Sequence, residues 1–147
     1  MNILNSVFKK SKGMIFIVKK VSELAVIEKT KILCDLIMTS TEKSPKRFRF
    51  SIVAKLHAYS LNALENLYRA NDVWMKIDLK NGIKERLRFQ YKAFTELNLL
   101  DYIAYLAKQR NCILDKEYVK ITEQIFICKS LLGGWVKSER NKLKGLN

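Results

Sequence analysis

Residues 118–135 read Tyr-Val-Lys-Ile-Thr-Glu-Gln-Ile-Phe-Ile-Cys-Lys-Ser-Leu-Leu-Gly-Gly-Trp. Within them Tyr118, Ile121, Ile125, Cys128, Leu132 and Trp135 follow one another by alternating steps of three and four. Such steps return to one side of an α-helix, so the stretch reads as a helix with a single apolar seam; a half-buried strand would alternate every second residue. Gly133-Gly134 falls inside the seam, and two glycines in a helix interior cost about 1 kcal/mol each relative to Ala. One reading ends the helix at Leu132. The other continues it to about Ser138, with the glycines letting a neighbouring backbone come close. Trp135 keeps the phase of the seam, which favours continuation. The residues from Glu139 to Asn147 then read as a fraying basic tail.

Three further helices lie upstream. The first runs from Val18 or Ser22 to Met38, with apolar positions at Val21, Leu24, Ala25, Ile32, Leu33, Leu36 and Ile37. Thr39-Ser40-Thr41 and Pro45 end it, because Pro45 pushes Ser44 away from helical geometry. The second starts near Lys46 and reaches about Val73, with a seam at Val53, Leu56, Ser60, Ala63, Leu67, Ala70 and Trp74. Asn81-Gly82 reads as the turn before a third helix over Ile83 to Lys108, whose apolar side is Leu87, Tyr91, Phe94, Leu97, Leu100, Ala104 and Ala107. Arg110 to Leu114 form the next connection, and Asp115 is the expected N-cap of the fourth helix, with Glu117 adding negative charge to its first turn. Four long helices with short connections predict an all-α fold, an up-down-up-down antiparallel four-helix bundle. Residues 15–140 make up that bundle and residues 141–147 a basic tail. Residues 1–14 read as a flexible or misassigned N-terminal extension, with Met14 an alternative start.

The chain has 147 residues, five Gly and one Pro, which suits one helical domain and not a turn-rich β fold. Catalytic signatures are lacking. His57 is the single histidine and sits beside seam position Leu56, a boundary site. Glu28/Lys31 and Glu85/Arg88 have the spacing of surface ion pairs. Cys34, Cys112 and Cys128 are odd in number and far apart, which fits free buried thiols in a reducing cytoplasm. The expectation is a non-enzymatic protein with no metal, no cofactor and no catalytic residue. The apolar faces are all needed for the bundle, leaving none for a membrane.

Charge is the remaining clue. The sequence holds 28 Lys+Arg against 14 Asp+Glu, a formal net charge of +14. Half of that surplus lies in the first 50 residues. Lys43, Lys46, Arg47 and Arg49 cluster around the first connection. Lys84, Arg86, Arg88 and Lys92 open the third helix, and Lys137, Arg140, Lys142 and Lys144 close the fourth. In an antiparallel bundle the second and third clusters share a pole. A surplus of this size repels itself, so a polyanionic partner is expected. Phe48, Phe50, Tyr68, Phe89, Tyr91, Tyr102 and Tyr105 read as core or interface residues. Of these, Phe48, Phe50 and Phe89 interleave with Arg47, Arg49 and Arg88, an arrangement that also suits single strands.

Three stretches together resemble a known family. Ser44-Pro45-Lys46-Arg47-Phe48-Arg49-Phe50 resembles the start of its second helix, and Asn66-Leu67-Tyr68-Arg69-Ala70 the end of that helix. Leu131 to Ser138, Leu-Leu-Gly-Gly-Trp-Val-Lys-Ser, resembles its most distinctive run. Glu23 to Lys31 also fits its first helix. The family is the accessory variability determinant proteins of diversity-generating retroelements. The resemblance implies a homopentameric barrel that binds nucleic acid, RNA or DNA or both, and the element's reverse transcriptase, and so supports mutagenic complementary-DNA synthesis without catalysing it. Pro45, Gly133, Gly134 and Trp135 carry over as structural positions, and Lys46, Arg47 and Lys137 as basic ones. Arg49, Lys84, Arg86, Arg88, Lys92 and Arg140 are nucleic-acid-binding candidates from clustering alone. The alternative is an interaction scaffold of the ribosomal intervening-sequence type, similar in fold but without a retroelement.

Overall fold

The computed structural model describes residues 11–147, with side chains at residue 23 and from residue 25 onward. Four helices account for most of them: α1 (Ser11–Ser40), α2 (Ala54–Asp72), α3 (Leu79–Gln109) and α4 (Asp115–Gly145). No strand occurs among the described residues. Helix α1 packs on α2 and α4, and α3 packs on the same two, so the four enclose one core. Leu33, Ile37, Leu56, Leu67, Leu97, Leu100, Ile121, Ile125 and Leu132 are fully buried in it. The α4 seam closes as expected, with Ile121, Ile125, Cys128, Leu132 and Trp135 all buried.

Several boundaries differ from the sequence reading, each for a local reason. Helix α1 begins at Ser11, well before Val18, because nothing between those residues forbids helix. The proposed extension therefore overlaps α1 from Ser11 to Met14; its first ten residues, and the side chains of Val21 and Leu24, lie outside the described residues. Helix α3 begins at Leu79, so Asn81-Gly82 is its first turn and not the turn before it. The deciding residue is Asp78, whose carboxylate accepts the Asn81 backbone N–H at 3.0 Å and caps the helix. Asp115 is not the cap of α4. The Leu114 N–H instead donates to the Glu117 carboxylate at 2.8 Å, and Asp115 is the first helical residue. At the end of α3, Asn111 adopts φ 56° and the Cys112 N–H reaches back to the Ala107 carbonyl at 2.8 Å, a Schellman closure.

The glycine pair does not serve close packing. A Cβ at Gly133 would lie 3.8 Å from Phe94 Cζ, an ordinary contact, and one at Gly134 would meet open space. Helix α4 runs through both and on to Gly145, and Glu139, expected in a frayed tail, is fully buried. The glycine that does lack room is Gly82, where a Cβ would sit 2.7 Å from Met75 Sδ and 3.2 Å from the Trp74 carbonyl oxygen. Gly134→Ala is therefore expected to stabilise the protein by about 0.5–1 kcal/mol. Gly82→Ala is expected to destabilise it by about 1 kcal/mol or more through overpacking. Thermal melts of the two variants should move in opposite directions.

Three expected seam residues are exposed. Ile32 yields the core to Leu33; Trp74 lies beyond the end of α2; and Tyr91 gives way to Gln90, which is fully buried. The three cysteines are buried free thiols, and burial pushes Cys128 up to about 11. Glu28–Lys31 and Glu85–Arg88 form exposed pairs as their spacing implied. His57 is half-buried, its Nε2 2.8 Å from Thr41 Oγ1. The Thr41 hydroxyl already donates to the Ile37 carbonyl, so His57 is the donor of the pair. Partial burial holds the imidazole below its ordinary value of 6.5. A proton NMR titration of this single histidine should show a midpoint under 6.5, and a midpoint above it would contradict that environment.

Candidate nucleic-acid interface

The ends of the bundle are chemically different. At one end the Ser44 hydroxyl donates to the Cys112 carbonyl at 2.6 Å, tying the α1–α2 connection to the α3–α4 connection. After Pro45 the chain makes a 3₁₀ turn, Lys46–Phe48, and then a single wide π turn, Arg49–Val53, before α2 begins. The expected start of the second helix near Lys46 thus holds as helical backbone but not as α-helix.

Lys43, in the turn before Pro45, and Lys46, Arg47 and Arg49 in these two segments are all exposed. None of the four is paired with a carboxylate among the described residues. Phe48 packs partly on the core, with the Arg47 guanidinium 4.8 Å from its ring centre. Phe50 stands out with 91% of its surface exposed. A hydrophobic ring that prominent, set among unpaired cations, is the arrangement that accepts a stacked base while the cations meet phosphates. A recess between the two connections is lined by Lys43 and Lys116 together with Glu42 and Glu117. Clustering along the sequence does not reveal Lys116, because it stands alone there and joins Lys43 only through the fold.

The other end brings Arg86 near the start of α3 against Glu139 near the end of α4, but the cations there are divided. Arg86 is not a surface residue. Its side chain is 10% exposed; Nη1 lies 3.1 Å from Glu139 and 3.9 Å from Glu23, and Nε donates to the Ala70 carbonyl at 3.0 Å. Arg86 is thereby removed from the nucleic-acid candidates: its charge is spent on a buried carboxylate. Lys142 is likewise held by Glu139 at 3.0 Å. Arg88 is exposed but paired with Glu85, and with Lys92 it lines a groove between α2 and α3. Lys84 is exposed on α3. Lys137, Arg140 and Lys144 line a shallow recess on α4 with Gly133, Val136 and Asn141. Trp135, the anchor of the Gly-Gly-Trp run, is 3% exposed, and the Arg86 guanidinium lies 5.9 Å from its ring centre.

Among the described residues no group of three or more His, Cys, Asp or Glu is placed to hold a metal ion. No helix among them is long and apolar enough to cross a membrane. No protein-family model matches the sequence, and no curated protein matches it.

Proposed function

We propose that this chain is a non-catalytic, nucleic-acid-binding accessory subunit of a diversity-generating retroelement. In this reading it is an up-down-up-down antiparallel bundle that assembles as a homopentamer in the cytoplasm. It holds template RNA or its complementary DNA on basic surfaces and docks on the reverse transcriptase. The observation that carries the reading is the α1–α2 connection, where Lys46, Arg47 and Arg49 are exposed and unpaired beside the fully projecting Phe50. The Ser44–Phe50 and Leu131–Ser138 stretches supply the retroelement part through resemblance. Lys46, Arg47, Arg49, Lys84, Lys92, Lys137 and Arg140 remain the proposed phosphate contacts, with Arg88 available once it leaves Glu85.

The test is co-purification of the tagged chain with the reverse transcriptase encoded beside it and with the template RNA. Recovery of both supports the reading. A chain that retains neither, and that shows no single-stranded RNA binding at roughly 50 mM salt, refutes it. Light scattering gives the assembly, and a monomer removes the pentamer from the proposal.

A further inference from the structure

The groove between α2 and α3 is open and holds about 790 Å³. That volume accommodates a nucleobase with its ribose. Its walls carry Asn62 and Asn66 from α2, and Phe89, Lys92 and Glu96 from α3. Two of its cations are already satisfied: Arg69 pairs with Glu65 at 2.7 Å, and the Arg88 Nε donates to Glu85 at 3.0 Å. A site shaped for phosphate alone would leave such cations unpaired. Besides Lys92, this one offers two aromatic rings, Phe89 and Tyr91, two carboxamides and the Glu96 carboxylate.

The Phe89 ring is half-buried against the core, with the Arg88 guanidinium 4.6 Å and the Lys92 ammonium 5.6 Å from its centre. Glu96 Oε2 is shielded from solvent and has no hydrogen-bond partner among the described residues, and burial raises the carboxyl above its ordinary value. A carboxylate and carboxamides that line the same groove as a stacking ring can complement a base edge.

We infer that the α2–α3 groove is a nucleobase subsite for single-stranded nucleic acid, selecting bases that carry an exocyclic amino group. The base stacks on Phe89. Glu96 accepts from the amino group, Asn62 and Asn66 meet the remaining edge atoms, and Lys92 meets the adjoining phosphate. Cytosine and adenine offer the amino donor that Glu96 needs; uracil presents a carbonyl there, which the carboxylate repels. This inference rests on the nucleic-acid reading above and adds a base preference to it.

The test is fluorescence anisotropy with the full chain and labelled RNA homopolymers of about 12 nucleotides, oligo(C), oligo(A) and oligo(U). Oligo(C) and oligo(A) are expected to bind about fivefold or more tightly than oligo(U). Phe89→Ala should cost oligo(C) about tenfold, while Phe89→Tyr, which keeps the ring, should retain binding. Glu96→Gln, which can donate to a carbonyl, should bring oligo(U) to within about twofold of oligo(C). Equal binding of the three oligomers by the wild type, or an unchanged preference in Glu96→Gln, overturns the subsite and leaves the nucleic-acid reading standing. Failure to bind any oligomer overturns both.

Discussion

Replacing Arg86 with Met is expected to destabilise the protein by about 3–5 kcal/mol, the cost of leaving a buried carboxylate without its cation. Arg86 belongs to α3, yet it reaches Ala70 on α2, Glu139 on α4 and Glu23 on α1. Glu139 is fully buried, and its Oε2 has no partner among the described residues even with Arg86 present. For a chain of this size each kcal/mol moves the melting temperature by about 2–4 °C, so the transition should fall by about 10 °C. The double variant Arg86→Met with Glu139→Leu removes both charges and should recover most of the loss, because a buried ion pair is often no more stabilising than apolar residues of similar volume. Circular-dichroism melts of the three proteins check both statements, and a double variant as unstable as the single would contradict them.

The acid side of the same cluster has a definite sign. Burial raises the Glu23 carboxyl above its ordinary value of 4.5, with Arg86 pulling the other way. A carboxyl with a raised folded-state pKa favours folding most when protonated. Its contribution is fully present below about 4.5 and lost as pH rises through the elevated value. Removing Arg86 removes the opposing pull, so the variant's deficit at neutral pH should shrink as pH falls toward 4.5.

Reversing three charges at the opposite end, with Lys46→Glu, Arg47→Glu and Arg49→Glu together, is expected to leave stability almost unchanged. All three side chains are exposed and unpaired. Surface substitutions of that kind usually stay within about 0.5 kcal/mol. Single-stranded RNA affinity should instead fall by about 100-fold near 0.1 M salt, and the slope of log K against log salt should flatten by about 2, or 0.7 for each phosphate that is no longer neutralised. The comparison is Lys76→Glu, Lys80→Glu and Lys144→Glu, exposed cations at the Arg86 end, which change the net charge by the same amount. That set should cost less than about tenfold, because screening confines each charge to its own neighbourhood within about 10 Å. Equal losses from the two sets would mean that only net charge matters and would remove the connection as a site.

The parts of this fold legible in the sequence are those governed by one repeating requirement. The α4 seam from Ile121 to Trp135 and the α2 seam from Leu56 to Ala70 follow from helical spacing alone, and both are buried. Positions decided by a single partner are not legible. Asp78 outcompetes Asn81-Gly82 as a boundary because its carboxylate finds an orphan amide, a contact that depends on where the chain turns next. Gln90 is buried in place of Tyr91 although it is polar, which no hydropathy pattern would suggest. Arg86 shows the same limit for the site: next to Lys84 and Arg88 it reads as one more surface cation, and only Glu139, 53 positions away, reveals it as structural. The groove that joins Phe89 to Asn62 is invisible for the same reason, since its two walls come from different helices.

The wide turn at Arg49–Val53 has a consequence for how this protein can diverge. A π turn carries one residue more than the α-helical turn it replaces. A lineage that loses one residue there can close the turn into ordinary helix while Leu56, Leu67 and the rest of the α2 seam keep their register. The segment bearing Arg49 and Phe50 can thus gain or lose a residue with little penalty to the core. Length variation among relatives should therefore collect at this connection, the surface proposed to meet nucleic acid, while the interior keeps its spacing.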